Sequence, residues 1–558
     1  MHSSTDHPWL RRDTFFTDTG SGLQLANAST GFEITGSSAY RLFRTIHPFL
    51  DGSHSLQDIK NATGDRWPII ERFLKPLTDH GFIRWIPATD FEVLPERERS
   101  ENSDQIAYLA QFTDTPHASF STFSSAKILV LGDSPFTVSL VTNLRDNGAR
   151  GVSTHPSAPM GLTNREEPFG QDVDLIVLAP ETLHLLENLE EHLVLAVTGY
   201  ENQLRALTRP WPDLSSFTWL DAAASLGLSD PHQGPAAAAR ELLEHSAAVD
   251  ERVMAEPIQR MFGALLAYEI FKGLTGAIRP ETADKVLVLN GLTGETTTHP
   301  VAPSPEWGEP QRKETPAPAS QPLDIASSRA EEYDAAWAKL VDPMTLPAEE
   351  FTDLELEQVP VKVSSLTSKG STVHGASLWT TADARIETLC RAYENYFSTI
   401  LPPTTVSPSF LGVDRDPEQA ALRAVRSAAC AKALSSDRAA GKECELFAES
   451  RAGHFIRSTA PEMKYTDLGE HGGWHVGLAY DHNRWAVTAA PELSEALITA
   501  AVEVLGARQA DVPLGHGNPE RFLGTGTREA VFFEVRRLPN ELADSLNLCV
   551  VEATWRAA

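Results

Sequence analysis

The chain has 558 residues, 47 Lys+Arg against 76 Asp+Glu, a formal net charge of −29 and 41% hydrophobic residues. That composition suits several globular domains and works against binding to nucleic acid or an anionic membrane. The four cysteines, Cys390, Cys430, Cys444 and Cys549, are too dispersed for a CxxC metal or redox motif. With no signal peptide and no apolar run of about 18 residues, a soluble chain in a reducing cytoplasm is expected.

Residues 1–86 read as one small unit, with 9 Lys+Arg and 9 Asp+Glu. Three strands are expected, over Asp13–Asp18, Gly22–Asn27 and Thr30–Thr35, because Leu23/Leu25 and Phe32/Ile34 alternate with polar neighbours. A helix follows with Tyr40, Phe43 and Ile46 on one face. Ser55 caps a second helix, with Asp58 placed for a capping box. A third runs from about Trp67 to His80 on Ile70, Phe73, Leu74 and Leu77, and Pro76 should weaken or kink it.

Residues 87–125 read as a polar connector with a helical piece at Gln105–Phe112. Residues 126–300 read as α/β. Strands are expected at Lys127–Leu131, Asp174–Ala179, Leu193–Thr198 and Lys285–Asn290, and helices at Thr137–Asp146, Thr182–His192, 236–247 and 255–275. This alternation implies a mostly parallel sheet covered on both faces. Residues 301–323 form a proline-rich linker. Residues 324–558 read as an α+β domain with long amphipathic helices at Thr381–Thr399 and Pro491–Gln509.

A nucleotide site would lie in the turn after KILVL. Glycines there let the backbone approach phosphates and let helix N–H groups point at them. The turn reads Gly132-Asp133-Ser134-Pro135-Phe136: one glycine, a misplaced negative charge, a lost donor and a bulky ring. It reads as a structural turn. His471 and His475, followed by His482, could suggest zinc, but Gly472 and Gly473 break the helix that an i, i+4 pair needs, so a surface loop is expected. Cys390 and Cys430 read as small core residues, and no G-x-S-x-G nucleophile elbow occurs.

The N-terminal unit has three readings. It could be a winged-helix DNA binder, but its neutrality and the acidic whole oppose phosphate binding. It could be only a packing module. Or a sheet edge could accept an extended peptide as an extra strand. On that last reading Thr30, Gly31, Phe32, Glu33, Ile34 and Thr35 supply the edge, and Arg72 and Lys75 on the third helix suit an acidic peptide.

Residues 13–86, with TGSSAYRLFRTIHPFLDGSHSLQDI and a third helix ending in GFI, resemble the PqqD-like leader-recognition domain of enzymes that modify ribosomal peptides. Residues 105–300, with DQIAYLAQFTDTP, SSAKILVLG, DLIVLAP, PIQRMFGALLAYEIFKGLTG and KVLVLNGLTGETTTHP, resemble the ThiF-like fold of cyclodehydratase partner proteins in azole and thiopeptide pathways. This chain departs from that family at the nucleotide turn. At GVSTHP it has no ribose-holding acid. Asn164–Arg165 only echoes the family's Asn-Arg pair. Val301-Ala-Pro-Ser-Pro305 stands where paired zinc ligands often begin.

The C-terminal region more faintly resembles a YcaO cyclodehydratase domain, at GASLWTTADARIETLCRAYENYF and AVTAAPELSEALITAAVEVLGARQ. Glu394 and Glu503 match its Mg-ATP carboxylates. Arg391 stands where a Glu is expected and Gly506 where a Gln is expected. The family's proline-rich terminus is replaced by EATWRAA. The region is therefore either a degenerate YcaO domain or an unrelated α+β domain.

The expected architecture is α/β overall: an N-terminal winged-helix (PqqD-like) domain, a ThiF-like Rossmann-type domain and a C-terminal α+β domain. The resemblance implies a non-catalytic adaptor. It would bind a precursor's leader peptide and present it to a separate YcaO cyclodehydratase for azoline or azole formation. No catalytic, cofactor or metal residue is assigned, and a homodimer stays open. An ATP-dependent adenylating or cyclising enzyme and a winged-helix DNA-binding regulator are the alternatives.

Overall fold

The computed structural model describes residues 3–28, 30–155, 173–188, 194–208, 219–226, 228, 235–247, 255–301, 311–313, 335–400, 409–435, 441–446, 450–481, 484–512, 514 and 531–557. Asn164–Arg165, His482 and most of the proline-rich linker lie outside them. The fold is mixed α/β. The chain divides into two compact units, residues 1–223 with 228–298, and residues 224–227 with 299–558.

In the first unit, Phe15–Asp18, Gly22–Ala26 and Gly31–Thr35 form a three-stranded antiparallel sheet with Gly22–Ala26 in the centre. Leu23 and Leu25 are fully buried, as their alternation requires. They pack with Phe43, Ile46, Ile70, Phe73 and Leu77 from the helices Ala39–Ile46 and Trp67–Asp79. Ser55 and Asp58 form the reciprocal capping box at the head of Leu56–Thr63. The third helix continues past Pro76 to Asp79. The carbonyl that Pro76 leaves without its helical donor belongs to Arg72, which is exposed and open to water. A strand pair absent from the sequence reading, His7–Leu10 with Ile83–Ile86, joins the two ends of this module.

Residues 87–125 are more than a connector. They form the helices Ala88–Phe91, Glu96–Glu101, Ser103–Leu109 and Pro116–Ser125. Ile106, Leu109, Phe120 and Phe123 enter the core of the large sheet. Asp90 is buried. It accepts the backbone N–H groups of His117 (3.1 Å) and Ala118 (2.9 Å), and it bonds the His117 ring at 2.9 Å.

The large sheet has seven strands, in the order Thr296–Pro300, Lys285–Asn290, Gln203–Thr208, Val194–Tyr200, Leu175–Leu178, Lys127–Leu131, Gly151–His155. Pairing is parallel from Val194–Tyr200 through Gly151–His155. It is antiparallel where Gln203–Thr208 joins Val194–Tyr200 and Lys285–Asn290. The expected mostly parallel sheet is thus mixed. The Gln203–Thr208 strand follows its neighbour across only Glu201 and Asn202, and so short a connection allows only an antiparallel return. The helices Pro135–Asp146 and Glu256–Thr275 pack closely together: a Cβ on Gly263 would meet the Phe136 carbonyl oxygen at 2.6 Å.

The second unit is α+β. Ser371–Ser377, Lys362–Ser368 and Ala348–Phe351 form one antiparallel sheet. Lys442–Cys444, Lys464–His471, Trp474–Tyr480 and Trp485–Ala490 form a second, and Gln311–Lys313, Val531–Arg537, Cys549–Ala557 and Ser409–Asp414 a third. The helices Thr381–Ile400, Pro417–Leu434 and Leu493–Gln509 pack on these sheets. Leu493–Gln509 was expected to be amphipathic. It is instead buried on nearly every side, because strands of two sheets and the Arg451–Thr459 helix cover it.

Candidate functional site

Three places matter: the edge of the N-terminal sheet, the turn after Lys127–Leu131, and a chamber in the second unit.

Gly31–Thr35 pairs only with Gly22–Ala26, so its other edge is free among the described residues. Phe32 and Ile34 face the core but stay half-buried. The Phe32 ring stacks on His80 at 4.3 Å, where the third helix ends, and lies against Phe82. Glu33 points the other way and accepts from Thr19 Oγ1 at 2.9 Å. Thr30 precedes the strand and donates its N–H to Asn27 Oδ1. Lys75 is exposed and paired with Asp79 at 2.7 Å, while Arg72 is exposed with no described partner. An exposed pair such as Lys75–Asp79 is weak enough to exchange with an incoming carboxylate. The sheet's other outer strand, Phe15–Asp18, is also free at its edge among the described residues. There, however, Phe16 is packed among Tyr40, Phe43 and His47.

The turn after Lys127–Leu131 is filled from within. Phe136 is buried in the core. The Asp133 N–H donates to Glu181 Oε1 at 3.2 Å, and the Phe136 N–H to Gln259 Oε1 at 3.4 Å. A carboxylate and an amide of the chain itself therefore engage two donors of the kind that would cradle a phosphate. Gly132 has φ +126°, and a Cβ there would meet both Ala179 Cβ and Glu181 Oε1 at 2.6 Å. The glycine is needed for the backbone path itself.

In the second unit, Thr381–Ile400, Pro417–Leu434 and Leu493–Gln509 contribute to a chamber of about 570 Å³. On the first helix, Glu387, Arg391 and Glu394 recur at helical spacing and line it, facing Arg423 and Arg426 of the second and Glu503 of the third. Arg391 binds Glu503 through two nitrogens and Glu387 through Nε at 2.8 Å. Arg423 Nη1 binds Glu387 at 2.6 Å, and its Nε binds Glu394 at 2.6 Å. Burial would raise the Glu387 carboxyl, but Arg423 and Arg391 outweigh it and hold the group well below the usual carboxylate range. Burial would likewise lower Arg391, but Glu503 and Glu387 raise it above its ordinary value. All three glutamates are thus engaged by arginines, including the two expected by resemblance. Glu387 escaped the sequence reading. Its signal was the Glu-x3-Arg-x2-Glu spacing set against Arg-x2-Arg on a later helix.

Gly506 touches strand Ser371–Ser377, and a Cβ on it would lie 2.5 Å from Ala376 Cβ. The position expected to hold a glutamine has no room for one. Burial pushes the Cys430 thiol up to about 12. Cys390 is a buried core residue, and burial likewise raises its thiol well above its ordinary value.

The His471–His475 segment is a hairpin, not a surface loop. Gly472 and Gly473 make its turn with φ +60° and +84°. His471 pairs with Trp474, and His475 with Glu470. Adjacent pairs face opposite sides of a sheet, so the two histidines point apart, and His471 is buried. Among the described residues no group of three His, Cys, Asp or Glu side chains is placed to hold a metal ion. Among them, too, no helix is long and apolar enough to cross a membrane.

No family model matches the chain, and no curated protein matches it significantly. Among solved structures, a heterocyclase in complex with substrate and cofactor aligns over 99% of this chain and 95% of its own, with 14% identity and a TM-score of 0.59. E. coli MccB with AMPCPP and MccA aligns over 54% of this chain and 97% of its own, with 12% identity and a TM-score of 0.31. The microcin C7 biosynthetic enzyme MccB in complex with N-formylated MccA covers 53% and 98%, with 12% identity and a TM-score of 0.32. The last two likenesses are too weak to define a fold. The first shows a likeness of fold to that one structure, in an alignment that includes the second unit.

Proposed function

We propose that this protein is a non-catalytic adaptor in the modification of ribosomally made peptides. It binds the leader of a precursor as an added strand along Gly31–Thr35 and presents the rest of the peptide to a separate YcaO cyclodehydratase. The observation that carries this reading is the edge of Gly31–Thr35, free among the described residues, with Phe32 and Ile34 half-uncovered and Phe32 stacked on His80 where the third helix ends. A peptide there gains main-chain hydrogen bonds along the edge and apolar contacts on alternate side chains. Arg72 and Lys75 favour acidic residues in it. Holding the leader raises the effective concentration of the core peptide at the partner's active site.

Two further observations support the absence of chemistry in this chain. The nucleotide turn is filled by Phe136 and bonded to Glu181. The carboxylates expected to hold Mg-ATP are bound to arginines.

The test is fluorescence polarisation of a labelled peptide from the N-terminal half of a Cys/Ser/Thr-rich precursor encoded beside this chain. Binding should be saturable and should weaken at least tenfold in the full chain carrying Phe32→Ala and Ile34→Ala. Unchanged affinity overturns the reading. The likeness of fold to a heterocyclase bound to substrate and cofactor favours one rival, a self-sufficient ATP-dependent cyclising enzyme. ATP hydrolysis by the isolated chain with this peptide would establish that rival.

A further inference from the structure

The chamber of the second unit holds one guanidinium whose hydrogen bonding its own network leaves open. Arg391 and Arg423 are consumed by Glu387, Glu394 and Glu503. Arg426, one turn beyond Arg423, lines the same chamber and makes no hydrogen bond or ion pair with any described residue, and its Nε is buried. The carboxylate that acts on it most is Glu387, which is already held by Arg391 and Arg423. Burial accordingly lowers its affinity for the proton, only partly offset by Glu387. Arg426 as a whole is part-exposed, but a buried N–H donor without an acceptor is costly, and a structure keeps one mainly where something else completes it.

The rest of the chamber says what that something is. Four carboxylates, Asp383, Glu387, Glu394 and Glu503, and three guanidinium groups line it, which leaves one net negative charge. A triphosphate without metal would bring several negative charges where a single guanidinium has a donor to spare, whereas a monoanion brings one. A divalent cation finds no free carboxylate: the three glutamates are taken, and Asp383 accepts from the Thr380 N–H at 3.1 Å and its hydroxyl at 2.6 Å. One guanidinium suits one singly charged oxyanion. Around it stand apolar side chains, Leu378, Trp379, Ile386, Leu434 and Val502, which suit an uncharged body. The volume of about 570 Å³ accommodates a small molecule or a peptide end.

We propose that this chamber is a metal-independent binding site for a singly charged carboxylate with an apolar body, held by Arg426. The site is independent of the sheet edge and of the adaptor role. The guanidinium donates to the carboxylate in place of the protein acid it lacks, and the apolar wall takes the rest of the ligand.

The test uses the full chain and matched probes: phenylacetate against phenylacetamide, and N-acetyltryptophan against its amide, followed by calorimetry or saturation-transfer NMR at neutral pH. Each acid should bind at least tenfold more tightly than its amide, a contrast that needs no variant. Arg426→Met should abolish that preference, lowering acid affinity about ten- to hundredfold, as loss of a charged hydrogen bond does. Arg426→Lys should retain part of it, with circular dichroism confirming that both variants fold. Magnesium and EDTA should leave binding unchanged. No binding by either acid, equal binding of acid and amide, an acid preference that survives Arg426→Met, or a requirement for magnesium would each overturn the proposal. Tighter binding of ATP than of the acids in EDTA would overturn it too.

Discussion

Arg391 and Glu503, 112 positions apart, close a two-point ion pair across the chamber of the second unit, with Arg391 Nη1 2.9 Å from Glu503 Oε2 and Nη2 2.5 Å from Oε1. Parallel N–H···O bonds of this kind are stronger and more directional than a single charged contact. Here the pair puts a fixed positive charge against a carboxylate that the faint YcaO resemblance would assign to a metal. Removing one partner leaves the other charge part-buried and uncompensated. Arg391→Ala should therefore cost about 2–4 kcal/mol of stability, the lower values reflecting partial exposure, and urea unfolding checks it.

The reverse design tests the geometry more sharply. Arg391→Glu would gather Glu387, Glu394, Glu503 and the new carboxylate with one arginine fewer. Like charges at that separation repel, so the variant should melt well below the parent in EDTA. Millimolar magnesium should recover part of the loss, whereas the parent should show no such recovery. Thermal melts of both proteins with and without magnesium decide it.

Glu387 sets an acid limit on the second unit. Its folded carboxyl is held below the ordinary value of 4.5. A carboxyl depressed in the folded state contributes stability that is complete above its unfolded value and is lost as pH falls toward the folded one. Melting temperature should fall as pH drops below about 4.5. Glu387→Gln should be less stable than the parent at pH 7 and show a shallower acid decline. A parallel decline in both proteins would contradict the assignment.

Gly132 gives a prediction about the nucleotide turn. Its φ of +126° is unfavourable for a residue with a Cβ, and that atom would collide with Ala179. Gly132→Ala should cost about 1–3 kcal/mol from backbone strain alone, more with the collision. Glu181→Gln, which keeps an acceptor for the Asp133 N–H, should be nearly neutral. Both are read by chemical denaturation.

At the sheet edge, Arg72→Glu should weaken an acidic peptide severalfold at low salt and less at high salt, because exposed charges are screened. Phe43→Ala should instead unfold the module, since Phe43 is fully buried and such truncations cost about 3–5 kcal/mol. Peptide titrations at two ionic strengths and a melt separate the two effects.

The elements that local pattern determines were legible in advance. Lys127–Leu131 and Lys285–Asn290 are continuous apolar runs and form the expected strands. Leu23 and Leu25 alternate, and Ser55–Asp58 caps its helix. Such signals depend on neighbours a few residues apart, which the chain itself fixes. His7–Leu10 and Ile83–Ile86 were not legible, because each is short and is a strand only through the other. Gln203–Thr208 has a buried Arg205 in mid-strand, held by Gln203 and set over the Tyr200 ring, which disguised its apolar pattern. The sequence by itself determined that Arg391 and Glu394 share one long helix and that Glu503 lies on a later one. Only the tertiary structure decided which of them cancel. Pairing energy falls steeply with distance, and Arg391, Glu503, Glu387 and Arg423 meet only when three helices pack, leaving Arg426 Nε without a hydrogen-bond partner among the described residues.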